Sequence, residues 1–335
     1  VILKKAGSYD KIITMNAQTL KYHVDVKREI TLRIDLYLAK RFPQYSRSLI
    51  QRLIKLGQVR LNDKICNKPS TIIRQGDGID IELPPLSTPT IVPRQLPITI
   101  LYEDQDLIVI NKPAGVVVHP AAGHWDDTLA NALAYRYQDQ TGNLKINLVH
   151  RLDKQTSGII LAAKTEPALA FISAQFQRRT VIKEYLAVVE GAPRFDSDLI
   201  EKAITRHKKV REKMSVVRDD RGKKAISYYE VVERFRGFSL LRVLPKTGRT
   251  HQIRVHLAAI GHPCVADPSY GHRKVLTLRD LTGIGTHQEL LISRQALHAY
   301  RLNFVHPSGE RVEFKAPLPP DMDTLLQNLR RYRNL

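Results

Sequence analysis

The chain reads as an α+β protein in two parts, and three observations carry that reading. Residues 31–84 show two helical apolar stripes followed by alternating strand patterns. Residues 85–97 hold four prolines and no regular period, which suits an extended spacer. From residue 98 onward short alternating strands dominate, separated by single helical segments. The expected organisation is an N-terminal extension (1–30), a small module (31–84), a linker (85–97) and a larger domain (98–335).

Within the extension only Lys21 to Val26 alternates, as a strand would. In the small module Leu32, Leu36 and Leu38 begin a helix that ends near Phe42-Pro43. Ser46 is placed to cap a second helix, whose stripe is Leu49, Ile50, Leu53 and Ile54, and Gly57 stops it. The opposite face carries Arg47, Gln51, Arg52 and Lys55. Val59 and Leu61 alternate into an Asn62-Asp63 turn, and Ile79, Ile81 and Leu83 follow Gly76-Asp77-Gly78.

In the larger part, strands at Ile98–Tyr102 and Leu107–Asn111 flank Asp104-Gln105-Asp106. Thr128 to Tyr135 and Pro167 to Arg178 read as helices, with Gln138 to Asn143 a polar loop between. Between two apolar runs lies His150-Arg-Leu-Asp-Lys-Gln-Thr-Ser-Gly158, expected as a loop at a sheet edge where Gly158 relieves the returning backbone. Val181 to Gly191 alternates, with Lys183, Tyr185, Ala187 and Val189 on one face. Residues 202–224 are densely charged and suit a solvated hairpin. Thr250 is placed to cap a helix that buries Ile253, Leu257 and Ile260 and ends at Gly261, with Arg254 beside the stripe. Residues 272–289 read as a loop excursion, and Met322 to Tyr332 as a basic final helix.

Lysine and arginine outnumber aspartate and glutamate by 53 to 33, a net charge of +20, which favours a polyanionic partner. Cys66 and Cys264 lie far apart without a C-x-x-C, which fits a reducing compartment and argues against a disulfide framework or zinc site. His251, His256 and His262 lack the i, i+4 ligand spacing, so no metal is expected. No apolar run reaches the roughly 18–20 residues of a membrane span. The chain begins at Val1, which leaves an upstream targeting segment open.

The string His150 to Gly158 resembles the catalytic motif of RNA pseudouridine synthases, in the branch that modifies large-subunit ribosomal RNA and some tRNAs. Lys112-Pro-Ala-Gly115, His119-Pro-Ala-Ala-Gly123, Lys183-Glu-Tyr185, Gly248-Arg-Thr-His-Gln-Ile-Arg254, Asp267 with Tyr270-Gly271, and Arg294-Gln-Ala-Leu-His298 continue it in order. Ala266 departs from the pattern, standing where a glycine is usual. Ser46 to Gln51 with Gly57-Gln-Val59, Lys68-Pro-Ser70 and Gly76-Asp77 resemble the S4 RNA-binding domain. The resemblance implies a mixed, mostly antiparallel sheet in the larger domain and an S4-like α/β module before it.

It further implies isomerisation of uridine to pseudouridine without cofactor or metal. Asp153 would be the catalytic carboxylate, attacking C1′, adding to the base, or removing a ribose proton. It has to be ionised, which a guanidinium beside it favours; Arg254 is the candidate, with Arg249 second and better suited to phosphate. Arg151 would take the place of the extracted base, and Tyr185 would stack on the uracil or help remove the C5 proton. Lys183, His150, Arg249 and Leu297 are expected around the substrate, and Arg47, Arg52 and Lys55 on RNA. The expected partner is RNA, with large-subunit ribosomal RNA ahead of tRNA; a cytoplasmic, non-membrane monomer is expected, with an organelle left open. The rival classes are a non-catalytic RNA-binding or ribosome-assembly factor and an Asp-dependent hydrolase. The first makes no use of Asp153, Tyr185 and Arg254 together, and the second lacks another suitably placed carboxylate.

Overall fold

The structure is a computed structural model that describes residues 10–16, 19–27, 31–84, 91–121, 123–138, 147–207, 209–210, 212–217, 221–283 and 289–335. The chain divides into two compact units, Val1–Thr90 and Ile91–Leu335.

The first unit contains strands β1 (Asp10–Asn16), β2 (Thr19–Asp25) and β3 (Leu32–Arg33), helices α1 (Ile34–Arg41) and α2 (Arg47–Lys55), then β4 (Val59–Leu61), β5 (Lys64–Ile65), β6 (Ile72–Ile73) and β7 (Gly78–Leu83). The sheet runs β1-β2-β7-β4-β5. Two strands therefore come from residues expected to form an extension, because β2 adds antiparallel to β7 over Leu20↔Leu83 to Asp25↔Gly78. Leu32 lies in β3 and not in the first helix, since its backbone pairs with Ile73. Ser46 caps α2 by accepting from the Leu49 amide, and Ile50, Leu53 and Ile54 are buried under it. Asn62 and Asp63 both adopt positive φ, as a two-residue hairpin requires.

A buried charge joins the two helices. Asp35 is fully buried and accepts from Gln51, Arg33 and Arg47. Burial opposes its ionisation, yet these three donors outweigh it and hold the carboxyl at about 2. Arg47 and Gln51 are thereby engaged inside the unit, whereas Arg52 and Lys55 are exposed.

In the second unit, residues 91–97 carry no regular structure but are not a free spacer. The Asn131 side chain donates to Val92 O at 2.8 Å, and Arg94 N donates to Asn131 O. Strands β8 (Thr99–Glu103) and β9 (Leu107–Lys112) precede α3 (Leu129–Arg136), which Thr128 caps. The polar loop expected at 138–143 lies almost wholly outside the described residues. Next come β10 (Asn147–Leu148), β11 (Ser157–Ala163), α4 (Glu166–Arg178), β12 (Ile182–Glu190), β13 (Ser197–Glu201), β14 (Ala203–Arg206), β15 (Met214–Val217), β16 (Ile226–Phe235), β17 (Phe238–Pro245) and α5 (Gln252–Ala259). The chain ends with β18 (Leu276–Thr277), α6 (Leu278–Thr282), β19 (Leu290–Ile292), β20 (Leu297–Val305), β21 (Arg311–Lys315) and α7 (Pro320–Tyr332). Residues 272–289, read as a loop, thus contain a short helix that Thr277 caps.

The large sheet runs β13-β16-β17-β12-β20-β11-β9-β8, with β10 on β11 and β21 on β20. Every pairing in it is antiparallel except β11 with β20, so the sheet is mixed and mostly antiparallel. The loop before β11 consequently opens at the middle of the sheet and not at an edge. Gly158 has φ +111°, and a Cβ there would sit 2.2 Å from Ala299 O. Only glycine lets β11 close on β20 at that point.

The chain departs from expectation at two turns. His251, not Thr250, occupies the cap position of α5; its φ is +55° and its side chain caps nothing. Ala266 also has φ +55° and is buried, so an alanine here holds a backbone shape that suits glycine, at about 1 kcal/mol.

The Asp35 cluster sets a pH dependence. Its folded pKa lies below the ordinary 3.8, so its contribution is complete above about pH 4 and lost as pH falls toward 2. About 2 kcal/mol of the first unit's stability is expected to disappear over that window. Amide exchange of α2 should show the loss, and Asp35→Asn should lower protection at neutral pH and flatten its acid response. An unchanged acid response in that variant would refute the assignment.

Candidate active site

The site is a cavity of about 520 Å³ in the second unit, lined from the loop before β11, from β12, from the β17–α5 turn and from the start of β20. His150, Arg151 and Asp153 face it from the first of these, Lys183 and Tyr185 from the second, Arg249 and Arg254 from the third, and Leu297 from the last. Residues separated by up to 147 positions thus share one wall system. Arg179 and Lys246 add to its cationic lining, which suits a polyanionic substrate.

The loop that carries Asp153 is held through its own backbone. Thr156 N donates to Asp153 O, closing a turn. Lys154 O accepts from Gly115 N at 2.8 Å and from Lys112 Nζ at 3.2 Å. Lys112 is fully buried and also donates to Pro113 O and Val116 O; burial, with Arg294 nearby, pulls it down to about 7. Gln155 O accepts from buried Arg294, which is anchored by two bonds to Asp321 at the start of α7. Gln295 Nε2 reaches Thr156 Oγ1 at 3.3 Å. Three consecutive residues after Asp153 are therefore tied to distant elements.

Arg254 meets Asp153 at the cavity floor. Its Nη1 donates to Asp153 Oδ2 at 3.1 Å. Its Nε and Nη2 form a two-pronged pair with Asp267 at 2.7 and 2.8 Å. Asp267 is buried and further accepts from the amides of Ser269 and Tyr270, which fixes it in turn. Burial opposes charge on Arg254, but Asp267 and Asp153 outweigh this and raise its pKa. The cation is permanent, and Asp153 faces it with one oxygen engaged.

The remaining positions differ in character. Arg151 is exposed at the cavity mouth and has no ion-pair partner among the described residues. Burial, with the Arg151 charge nearby, lowers the pKa of His119. Burial and the Asp153 charge push the Tyr185 hydroxyl well above its ordinary range, so it stays protonated. Burial lowers Lys183, and Arg249 is held at the rim by donating to Lys224 O at 3.1 Å. Leu297 is buried in the wall.

His150 lines the cavity and also holds the loop in place. Its Nε2 accepts from Leu161 N at 3.0 Å and its ring stacks on Phe176, so it fastens the loop to β11. Burial holds it at about 3, hence neutral. The residues not assigned from sequence are Asp267, His251, Lys112 and Arg294. All four sit in matched strings, but nothing in their spacing links Asp267 to Arg254 or His251 to Tyr270. His256 and His262 bond Ser227 Oγ, Lys202 O and Glu190 O, and no cluster fit for a metal occurs among the described residues.

Asp267→Asn removes one carboxylate from a buried guanidinium, a loss typically of about 3–5 kcal/mol when a buried pair is broken. The expected result is a lower melting temperature with turnover reduced more than tenfold and RNA affinity retained. Thermal melts and single-turnover rates on RNA check it, and unchanged rates would show that Arg254 needs no second anchor.

The family model for RNA pseudouridylate synthase matches residues 106–259, and that for the S4 domain matches 32–79. A Bacillus subtilis protein named an uncharacterized RNA pseudouridine synthase YlyB is 42% identical over 303 residues, 89% of this chain and 94% of its own. Ribosomal large subunit pseudouridine synthase D of Zymomonas mobilis is 38% identical over 89% of this chain and 93% of its own. The protein of that name from Escherichia coli K12 is 40% identical over 91% and 92%. Among solved structures, human RNA pseudouridylate synthase domain containing 4 superposes with TM-score 0.57 at 26% identity, covering 69% of this chain and 92% of that one. Near full-length relatedness, the matched family model and the cavity built on Asp153 lead to one conclusion: this chain belongs to the RNA pseudouridine synthase family and carries an S4 domain.

Proposed function

We propose that the chain isomerises a uridine of large-subunit ribosomal RNA, with Asp153 as its catalytic carboxylate. The observation that carries this is the pairing of Asp153 with Arg254 in a cationic cavity beside Tyr185. The names of relatives that align over nearly the whole of both chains support the ribosomal substrate.

The reaction breaks N1–C1′, turns the uracil and joins C5 to C1′; N1 takes up a proton and C5 gives one up. The target base must first leave its stack, at a few kcal/mol. Arg151, exposed at the mouth and without an ion-pair partner among the described residues, is placed to fill the gap left in the RNA. Arg254 holds Asp153 Oδ2, and the carboxylate then acts at C1′, at the base, or on a ribose proton. Tyr185 stacks on the uracil with its hydroxyl protonated, so it serves as a donor and platform and not as a resting phenolate base. Lys183 and Arg249 meet phosphate or base oxygens at the rim, and Leu297 closes the wall.

The first unit supplies a second hold on RNA. Arg52 and Lys55 are exposed on α2, whereas Arg47 is engaged with Asp35 and contributes less than its position suggests. The double substitution Arg52→Ala with Lys55→Ala is expected to weaken RNA binding and lower the salt-dependence slope by about 1–2. Titrations at several salt concentrations check this; an unchanged slope removes both residues from the interface.

Ribosomal RNA transcripts labelled with tritium at uridine C5 test the catalytic assignment. The wild-type protein should release tritium to water, and Asp153→Asn should abolish release while folding and binding persist. Release undiminished in Asp153→Asn would sink the assignment. Release from tRNA alone would move the substrate and leave the chemistry standing.

A further inference from the structure

His251 begins α5 with φ +55°, a left-handed backbone that a non-glycine residue keeps only where its surroundings hold it. The surroundings here hold the ring. Nδ1 lies 2.9 Å from Tyr270 Oη, and the two rings meet edge to face at 5.7 Å. The Arg254 guanidinium lies over the Tyr270 ring at 5.1 Å, so one tyrosine braces both groups.

The contacts suit one tautomer of His251. Tyr270 Oη accepts from Met214 N at 2.7 Å, and its own proton has no acceptor among the described residues other than His251 Nδ1. Burial lowers the pKa of His251 despite the Asp153 charge, so the ring is neutral and carries its proton on Nε2. That nitrogen lies 3.9 Å from Asp153 Oδ2, too far for a direct hydrogen bond. One oxygen between them spans the gap with two bonds of about 2.8 Å meeting at roughly 90°. Such an oxygen accepts from Nε2–H and donates to the carboxylate, as a water or a substrate hydroxyl does. On a nucleotide whose C1′ is brought to Asp153, the hydroxyl on the adjoining carbon is the 2′-hydroxyl.

We propose, on the footing of the isomerase reading above, that His251 is a specificity-determining residue that binds the target nucleotide's 2′-hydroxyl together with Asp153. A deoxynucleotide leaves this donor and acceptor unbridged, so the pair tells RNA from DNA at the reacting nucleotide. Tyr270 is the positioning residue that keeps the Nε2 proton in place, and through Met214 it joins the pair to the β14–β15 hairpin.

The test uses oligoribonucleotides spanning the mapped target, with ribose or 2′-deoxyribose at that one nucleotide. Their kcat/KM values are compared for the wild-type protein, His251→Asn and Tyr270→Phe. Asparagine suits the left-handed backbone but is too short to reach the gap. The wild-type protein is expected to favour ribose by at least about tenfold, the weight of one such hydrogen bond. His251→Asn should lose about tenfold on the ribose oligomer and little on the deoxy one, shrinking the preference. Tyr270→Phe, which leaves the ring present but frees its tautomer, should shrink it in part and serves if His251→Asn does not fold. No preference in the wild-type protein, or a full preference in either variant, overturns the inference while isomerisation stands. Failure of the wild-type protein to convert the ribose oligomer overturns the isomerase reading and this inference with it.

Discussion

The site depends on one buried cation. Arg254 is nearly inaccessible, with Nε and Nη2 bonded to Asp267 behind it and Nη1 to Asp153 in front. A guanidinium taken out of water needs a matched carboxylate fork, and Asp267 provides it; the two backbone amides on Asp267 keep that fork from rotating. The remaining donor then presents a fixed direction to Asp153. Without Asp267, Arg254 would be free to close on Asp153 with two bonds and take both carboxylate oxygens. The anchored geometry leaves Asp153 Oδ1 with no protein partner among the described residues.

The fold delivers that arrangement through one unusual junction in the sheet. Antiparallel pairing alone would bring β11 and β20 side by side with their ends opposed. Their brief parallel contact, Ser157↔His298 and Gly158↔Ala299, instead places the loop before β11 beside the start of β20. Leu297 and Asp153 thereby reach the same cavity. Gly158 permits the approach, and Ser157 Oγ bonded to His298 Nδ1 fastens it. Buried Lys112 and Arg294 then secure the carbonyls of Lys154 and Gln155, so the loop is ordered before substrate arrives.

Two left-handed non-glycine residues flank the same helix, His251 before α5 and Ala266 after it. Each sits one step from a residue that matters: His251 precedes Gln252, which accepts from Thr247 Oγ1 and Arg249 N, and Ala266 precedes Asp267. The local strain is tolerated because the neighbouring hydrogen bonds over-determine the backbone. In the first unit the same logic serves stability: Asp35 is charged in the interior because three donors converge on it. Arg47, which a helical wheel assigns to a free basic face, is drawn into that cluster.

Adjacent residues were enough to read the S4-like module and the strand-rich domain, the capping of α2 by Ser46, the Asn62-Asp63 hairpin, and the strings that supply the cavity. These are local signals: a cap, a turn or a period acts over a few residues and is written in adjacent letters. The pairing of Arg254 with Asp153 was also legible, because the resemblance named both. Tertiary structure alone decided the rest. That residues 19–25 join a sheet depends on a vacant edge of β7, which no local pattern announces. His251 displaced Thr250 at the helix start because Tyr270, nineteen residues on, holds its ring. Asp267 became the anchor of Arg254, and His150 a fastening on β11, through hydrogen bonds between elements remote in the chain. A buried charge takes whatever partner the folded chain brings within reach, and that reach is a property of three dimensions, not of spacing in one.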